Sequence, residues 1–346
     1  MRAVYFDRFG ATPVVREVAE PLASPRGVVV RVQATGLCRS DIHAWLGHDD
    51  GVDLPHVPGH ELVGVIESVG AEVSSFVVGQ RVTTPFVCAC GRCPECASGN
   101  AQVCRNQTQP GFTHWGSYAE LVALHDADVN LIAVPDELDS GAAALLGCRF
   151  ATAFRGLVHQ SAIRSGEWLL VVGCGGVGLS CVMIGKAFGA RVIGLDVSPA
   201  ALASATRLGA DHVIDPGGLA PGEILSAVRA VAGEAGVDIS VEALGRPATV
   251  ALAIRSLAPR GRHVQIGLLA QDPVVPMPVV IARELTIRGS HGMAAADYGE
   301  LLGAIASGAL RPQDIVEDQI SLDDVPAAMV AMAKGELAGV TVVQIG

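Results

Sequence analysis

The sequence predicts an α/β plus β protein of two domains, a doubly wound parallel sheet joined to an irregular, mainly antiparallel β domain. Three observations predict it. At 346 residues, 50% of them hydrophobic, the chain is too long for one core of the usual size, about 100–150 residues. Its texture changes near residue 146 from short β-type runs broken by Gly and Pro to strand, helix, strand. A glycine-rich turn, GCGGVG, directly follows the apolar run LLVV at that change.

Taken in order, the first domain offers the runs Val28 to Val32, Leu62 to Val69 and Gln80 to Thr84, short strands closed by turn residues. The second offers six short apolar runs, Leu169 to Val172, Val192 to Leu195, His212 to Ile214, Val237 to Val241, His263 to Ile266 and Leu285 to Ile287, separated by helix-like segments. The tail from about residue 295 is helical and closes in VTVVQIG, a strand returned to the first domain. The expected limits are therefore 1–147 with 292–346 for the β domain, carrying a cysteine-rich lobe at 88–106, and 148–291 for the parallel sheet.

Composition restricts function. A formal charge of −11 repels nucleic-acid phosphates, so no nucleic-acid partner is expected. Gly, Arg or Asp interrupts every apolar run before the roughly 20 residues needed to cross a bilayer, and no membrane span is expected. The start, MRAVYFDRFGATPVV, lacks the basic segment and long apolar core of a signal peptide. A cytoplasmic location with reduced thiols is the expectation.

Cys90, Cys93, Cys96 and Cys104 stand as C-x2-C-x2-C-x7-C. Two-residue gaps make mutual disulfides awkward, and the chain holds nine cysteines, an odd number. The spacing reads as a closed structural zinc site of four thiolates.

Gly173, Gly175 and Gly178 give G-x-G-x-x-G between an apolar strand and a helical run from Val177 to Phe188, with Gly176 inside the turn. Such a turn lets a pyrophosphate lie on a helix N-terminus, where free N–H groups and the dipole favour an anion. Asp196, 18 residues beyond Gly178, ends the next strand, where a carboxylate accepts from ribose hydroxyls and repels a 2′-phosphate. NAD is expected rather than NADP.

Three more segments carry metal-ligating types: LCRSDIH (Cys38, Arg39, Ser40, Asp41, His43), VPGHELVGVIESVG (His60, Glu61) and LLGCRFATAF (Cys148, Thr152). Singly, each Cys or His has a packing explanation. Together, with G-H-E-x2-G-x5-G-x2-V complete at Gly59, His60, Glu61, Gly64, Gly70 and Val73, they resemble the zinc-dependent alcohol dehydrogenases of the medium-chain dehydrogenase/reductase superfamily, over essentially the whole chain. The resemblance implies a GroES-like catalytic domain and a Rossmann domain with the active site in the cleft between them. It implies a catalytic zinc on Cys38, His60 and Cys148, with Glu61 behind the metal and Asp41 orienting His60, hence two zinc ions per chain. It further implies Arg39 at the pyrophosphate, Thr152 and Val177 against the nicotinamide, and Ile266, Gly267 and Leu268 at its carboxamide end.

That set suits alcohol oxidation, because hydride leaves readily only from an alkoxide-like carbon and a metal lowers the hydroxyl pKa. The released proton needs a route. By resemblance it runs from Ser40 through the nicotinamide ribose to His43, whose pKa suits exchange near neutrality. Ser40 as a turn cap and His43 as a surface histidine are the plain alternatives, and Glu61 is read at rest as a support that does not touch the metal. His56 reads as structural, since Pro58 prevents its pairing with His60, and Cys88, Cys174 and Cys181 read as packing thiols.

Phe86 and Trp45 are the expected walls of a mainly apolar substrate pocket, with core packing the alternative for each. One departure stands out: where relatives often carry a second pyrophosphate-anchoring arginine near the C-terminus, the stretch ELAGVTVV has Val340. Three functions fit: an NAD-dependent dehydrogenase of primary or secondary alcohols, a polyol, sugar or formaldehyde dehydrogenase of the same superfamily, and a non-catalytic zinc and dinucleotide binder. Cys148 speaks against polyols, where glutamate commonly replaces the third ligand, and a pure binder needs no proton route. A small-molecule alcohol and its carbonyl product are the expected partners, and a homo-oligomer, tetramer over dimer, the expected assembly.

Overall fold

The apolar run Trp168–Val172 lies at the middle of a six-stranded sheet because both of its faces are buried, which is what a continuous apolar strand requires. In spatial order the strands are His212–Ile214, Arg191–Leu195, Trp168–Val172, Val237–Glu242, Leu257–Gln265 and Thr286–Gly289, all parallel. Numbered along the chain that order is 3-2-1-4-5-6, the doubly wound arrangement whose switch point lies outside the first strand's carboxyl end. The helix Gly176–Ala187 leaves from there. The fifth strand starts at Leu257, six residues before the expected His263. Its register against Val237–Glu242 jumps where Pro259, Arg260 (φ 63°) and Gly261 bend it.

These coordinates come from a computed structural model that describes residues 1–337 and 339–346; Ala338, inside the ELAGVTVV stretch, lies outside the described residues. Two compact units emerge, Met1–Ala151 with Gly292–Gly303 and Val316–Gly346, and Thr152–His291 with Ala304–Ile315. Against the expected limits, residues 148–151 fall in the first unit, where Arg149 is tied to Glu61, and Ala304–Ile315 falls in the second, where Arg207 reaches the carbonyl of Asp314.

The first unit is built on a seven-stranded sheet in the order Val316–Ser321, Val340–Gln344, Val28–Gly36, Leu62–Val69, Arg81–Thr83, Ile132–Ala133, with Leu121–Leu124 also pairing Val28–Gly36. Every pair is antiparallel except the first two strands. The inward side chains of Val28, Val30, Val32, Leu62 and Ile66 form its core. Val340, where the second pyrophosphate anchor is expected, is buried in the last strand. Among the described residues no single helix is long and apolar enough to cross a membrane.

Candidate active site

Two groups of ligating side chains form in the first unit. Cys38, His60, Glu61 and Cys148 bring one donor atom each to within 4.8 Å of one another, and Cys90, Cys93, Cys96 and Cys104 do the same.

The first group is assembled from three loops. Cys38 is the N-cap of the short helix Arg39–Trp45, His60 and Glu61 precede the strand Leu62–Val69, and Cys148 stands between a 3-10 turn and the helix Arg149–Phe154. Asp41, fully buried, holds the first two together. It accepts from Cys38 N (3.1 Å), Gly59 N (3.1 Å), Tyr118 Oη (2.7 Å) and His60 Nδ1 (2.8 Å). A proton fixed on Nδ1 leaves the Nε2 lone pair free. His60 Nε2 is itself buried and has no hydrogen-bond partner among the described residues. An orphaned nitrogen beside two cysteine sulfurs is the donor set that zinc takes, so the residues fit that metal.

Contact with the Cys148 thiol holds Cys38 well below the ordinary thiol range despite burial, with His60 adding to the pull, while the same contact and burial push Cys148 up. Burial opposes charge on His60, and Asp41 outweighs it, raising the ring's pKa. A metal at Nε2 must displace that proton, so binding weakens in acid. Burial raises the Glu61 carboxyl against the opposing pull of Arg149.

In the four-cysteine lobe, sulfurs lie 3.3 Å (Cys93–Cys96), 3.5 Å (Cys93–Cys104) and 3.6 Å (Cys90–Cys104) apart, and all nine cysteines are free. Disulfide sulfurs lie about 2.05 Å apart, whereas four sulfurs at about 2.3 Å from one zinc would be roughly 3.8 Å apart. The spacing fits the metal. The backbone N–H groups of Cys90 and Asn106 donate to Cys104 Sγ (3.4 and 3.3 Å), offsetting only part of the burial that pushes this thiol up to about 12.

The glycine turn belongs to the second unit. Gly173 has φ 94°, and a Cβ on Gly178 would lie 1.8 Å from the Gly173 carbonyl oxygen, so both must be glycine for the strand to meet the helix. Gly175, the helix N-cap, differs: its φ is ordinary, and a Cβ would meet nothing within 4 Å. Its lack of a side chain leaves open space over the helix N-terminus, a cradle for an anion. Asp196 braces the turn, accepting from Cys174 N (2.8 Å) and Ser198 N (2.9 Å), and is half-buried with acceptor capacity to spare. Ile266 N and Gly267 N both bond to the Glu242 carbonyl, Leu268 is exposed, and the Thr152 carbonyl accepts from Ser290. Val177 lies half-buried in the helix's first turn.

Around the first group, Ser40 Oγ is 3.8 Å from Cys38 Sγ, and His43, half-buried, places Nδ1 3.2 Å from His48 Nδ1. Arg39 is exposed at the first position of its helix. The Phe86 ring stands edge-on to His60, centroids 6.2 Å apart. Trp45 is 5% exposed in the core cluster, its indole N–H donating to the Ala11 carbonyl (2.6 Å), which favours the packing role that the sequence also allowed. The second aromatic beside His60 is Phe112, at 5.2 Å. His56 packs edge-on against Phe6 and joins neither metal group. Burial pushes the thiol of Cys88 up to about 11 and that of Cys174 up to about 12, and raises Cys181 as well; all three are inert packing groups. Sequence reasoning missed Tyr118, Phe112, His48 and Arg149. Only Arg149, adjacent to Cys148, carried a local signal.

The comparisons agree with this architecture. The "Alcohol dehydrogenase GroES-like domain" model matches residues 24–136 and the "Zinc-binding dehydrogenase" model residues 176–307. The chain is 34% identical to an alcohol dehydrogenase of Rhizobium meliloti (strain 1021), covering 87% of each chain, and 32% identical to one of Geobacillus stearothermophilus, covering 100% of each. The solved structure of an alcohol dehydrogenase from Thermus sp. ATN1 superposes with a TM-score of 0.90 at 32% identity, covering 100% of both chains. The metal-ligating loops, the doubly wound sheet and these full-length likenesses make the chain a member of the zinc-dependent alcohol dehydrogenase family of the medium-chain dehydrogenase/reductase superfamily.

Proposed function

We propose that the protein is an NAD-dependent alcohol dehydrogenase that interconverts primary or secondary alcohols with aldehydes or ketones, using one catalytic and one structural zinc per chain. The single observation that carries this reading is the buried, unpartnered Nε2 of His60 beside the sulfurs of Cys38 and Cys148. Zinc bound there supplies the Lewis acidity that acidifies an alcohol hydroxyl, and bound NAD⁺ accepts the hydride.

The rest is work for the chain's own side chains. Cys38, His60 and Cys148 are the three ligands, and Asp41 fixes the His60 tautomer and ring plane. Ser40, close to Cys38, takes the alcohol's proton, and His43 exchanges it with solvent. Phe86 and Phe112, flanking His60, form an apolar wall suited to alkyl or aryl alcohols. Gly173, Gly175, Gly176 and Gly178 leave the helix N-terminus open to the pyrophosphate, with Arg39 as an added cation. Asp196 receives the ribose hydroxyls and favours NAD over NADP. Thr152, Val177 and the stretch Ile266, Gly267, Leu268 hold the nicotinamide. Cys90, Cys93, Cys96 and Cys104 keep the lobe in shape. The nine free thiols support a cytoplasmic setting. The exposed edge of the parallel sheet supports a homo-oligomer, and a tetramer is proposed over a dimer.

A panel of alcohols, polyols and sugars read at the nicotinamide absorbance with NAD and NADP, together with metal analysis, tests this. Two zincs per chain, preference for NAD and turnover of simple alcohols over polyols are expected. Cys148→Ala is expected to abolish turnover and leave one zinc, that of the lobe. Near-normal activity in that variant overturns the ligand assignment.

A further inference from the structure

The mechanism leaves one buried pair unused. Glu61 offers an oxygen within 4.8 Å of the three ligand atoms, close enough to compete for the metal. It does so beside Arg149, whose side chain is as deeply buried as its own.

We propose that Arg149 is a positioning residue that holds Glu61 off the catalytic metal, so that the protein gives the ion three ligands and the fourth position stays open to the alcohol. The inference rests on the metal site of the preceding section.

The geometry carries it. Oε1 of Glu61 accepts from Arg149 N (3.0 Å) and Nε (3.0 Å), and Oε2 accepts from Nε (2.9 Å) and Nη2. Both oxygens are thus engaged twice, about the full lone-pair capacity of a carboxylate. To reach the metal, Glu61 would have to abandon a bidentate guanidinium and leave the buried Arg149 charge without its partner. The pair cannot drift either. Arg149 Nη2 also donates to the Leu37 carbonyl (2.9 Å), and a Cβ on Gly36 would lie 2.1 Å from Glu61 Oε2, so the chain keeps glycine where the carboxylate sits. Leu37, Glu61 and Arg149 each adjoin a ligand, Cys38, His60 and Cys148 respectively. One side chain, itself next to Cys148, therefore binds the neighbours of the other two ligands. Charge follows the same division, for Arg149 neutralises Glu61 and leaves two thiolates to balance a divalent ion.

Cobalt(II) exchanged into the Cys38, His60, Cys148 site, with zinc left in the lobe, tests the proposal, because four-coordinate cobalt absorbs visible light more strongly than five-coordinate cobalt. Arg149→Lys keeps the buried charge but lacks the planar fork. It is expected to lose much of that absorption at unchanged cobalt content as Glu61 binds, with turnover falling roughly tenfold or more. Adding Glu61→Gln is expected to restore the four-coordinate spectrum, and Arg149→Met with Glu61→Gln, which buries no unpaired charge, to retain it. An unchanged spectrum in Arg149→Lys, or a loss that persists when Glu61→Gln is added, overturns the role of Arg149 while leaving the metal site standing. Failure of cobalt to enter that site in the unaltered protein overturns the functional reading as well.

Discussion

His43 shows how much a residue's chemistry depends on its surroundings. Burial lowers its pKa, and the neighbouring His48 and Arg39 lower it further. It is thus neutral, and able to accept a proton, over more of the physiological range than a free histidine. The sign follows for stability: with the folded pKa depressed, this group's contribution is complete above the unfolded value of about 6.5 and is lost as pH falls through the folded one. It follows for catalysis too, since the proposed proton route needs the neutral ring. His43→Gln is expected to lower kcat at neutral pH by about 10²-fold and to recover part of the loss in alkali, where solvent takes the proton directly. The acid limb of the wild-type pH profile below the ordinary histidine range should be absent in the variant. A pH–rate profile unchanged in shape and height removes His43 from the proton route. His48, whose ring nitrogen lies 3.2 Å from that of His43, is in place to hand the proton on.

Among elements, the cysteine lobe is the most dependent on its ligand. Its only buried cluster is Ala89, Cys90, Cys93 and Cys104, with Cys96 and Ala101 beside it, so the sulfurs are its core. Its protein contacts are modest: Asn130 pairs with Ala89 N and O (2.7 and 2.9 Å), Cys88 pairs with the Thr108 backbone (2.8 Å), and Glu95 pairs with Arg105 at the lobe's exposed surface. Structural zinc contributes about 10–16 kcal/mol in isolated zinc-finger peptides, far more than such contacts. Cys104→Ser is expected to lose one zinc per chain and to become sensitive to trypsin at Arg92 and Arg105, while the Cys38 site keeps its metal; resistance equal to wild type would show the lobe standing without zinc.

The lobe and the parallel sheet were both legible in sequence for physical reasons. Four thiolates around one ion impose a spacing, and a strand buried on both faces is a continuous apolar run. The hairpin Arg2–Tyr5 with Val14–Glu17 was not, because its strands are short and its second one largely exposed. Nor was the early start of Leu257–Gln265, where Pro259 and Gly261 read as a loop and act as a bulge. Site residues divide likewise. Ligands announce themselves by type, but Arg149 acts on a partner 88 positions away, and Tyr118 reaches Asp41 across 77. For Trp45 the sequence leaves pocket wall and core packing both open, because aromatic character near a ligand does not say which side of a short helix it faces.

At the scale of the whole molecule, the parallel sheet is open at both ends, and the edge at Thr286–Gly289 is the more apolar. The outermost strand, Thr286–Gly289, is exposed throughout, and the helix before it, Met277–Arg283, has no buried residue. Val274, Met277, Ile281 and Ile287 are 85%, 49%, 72% and 40% exposed, a concentration of apolar side chains beside unpaired backbone N–H and C=O groups. A chain of net charge −11 resists indiscriminate association, so such an edge is best covered by a second copy pairing the same strand about a two-fold axis. Two such pairs would give the tetramer. Light scattering is expected to return a multiple of the 35.5 kDa chain mass, four chains being favoured, and Ile281→Lys to shift it downward by burying a charge in the contact. The lysine variant should still bind zinc at both sites, because neither group of ligands lies in this segment. A wild-type mass of one chain, or an assembly indifferent to Ile281→Lys, leaves this edge as plain surface.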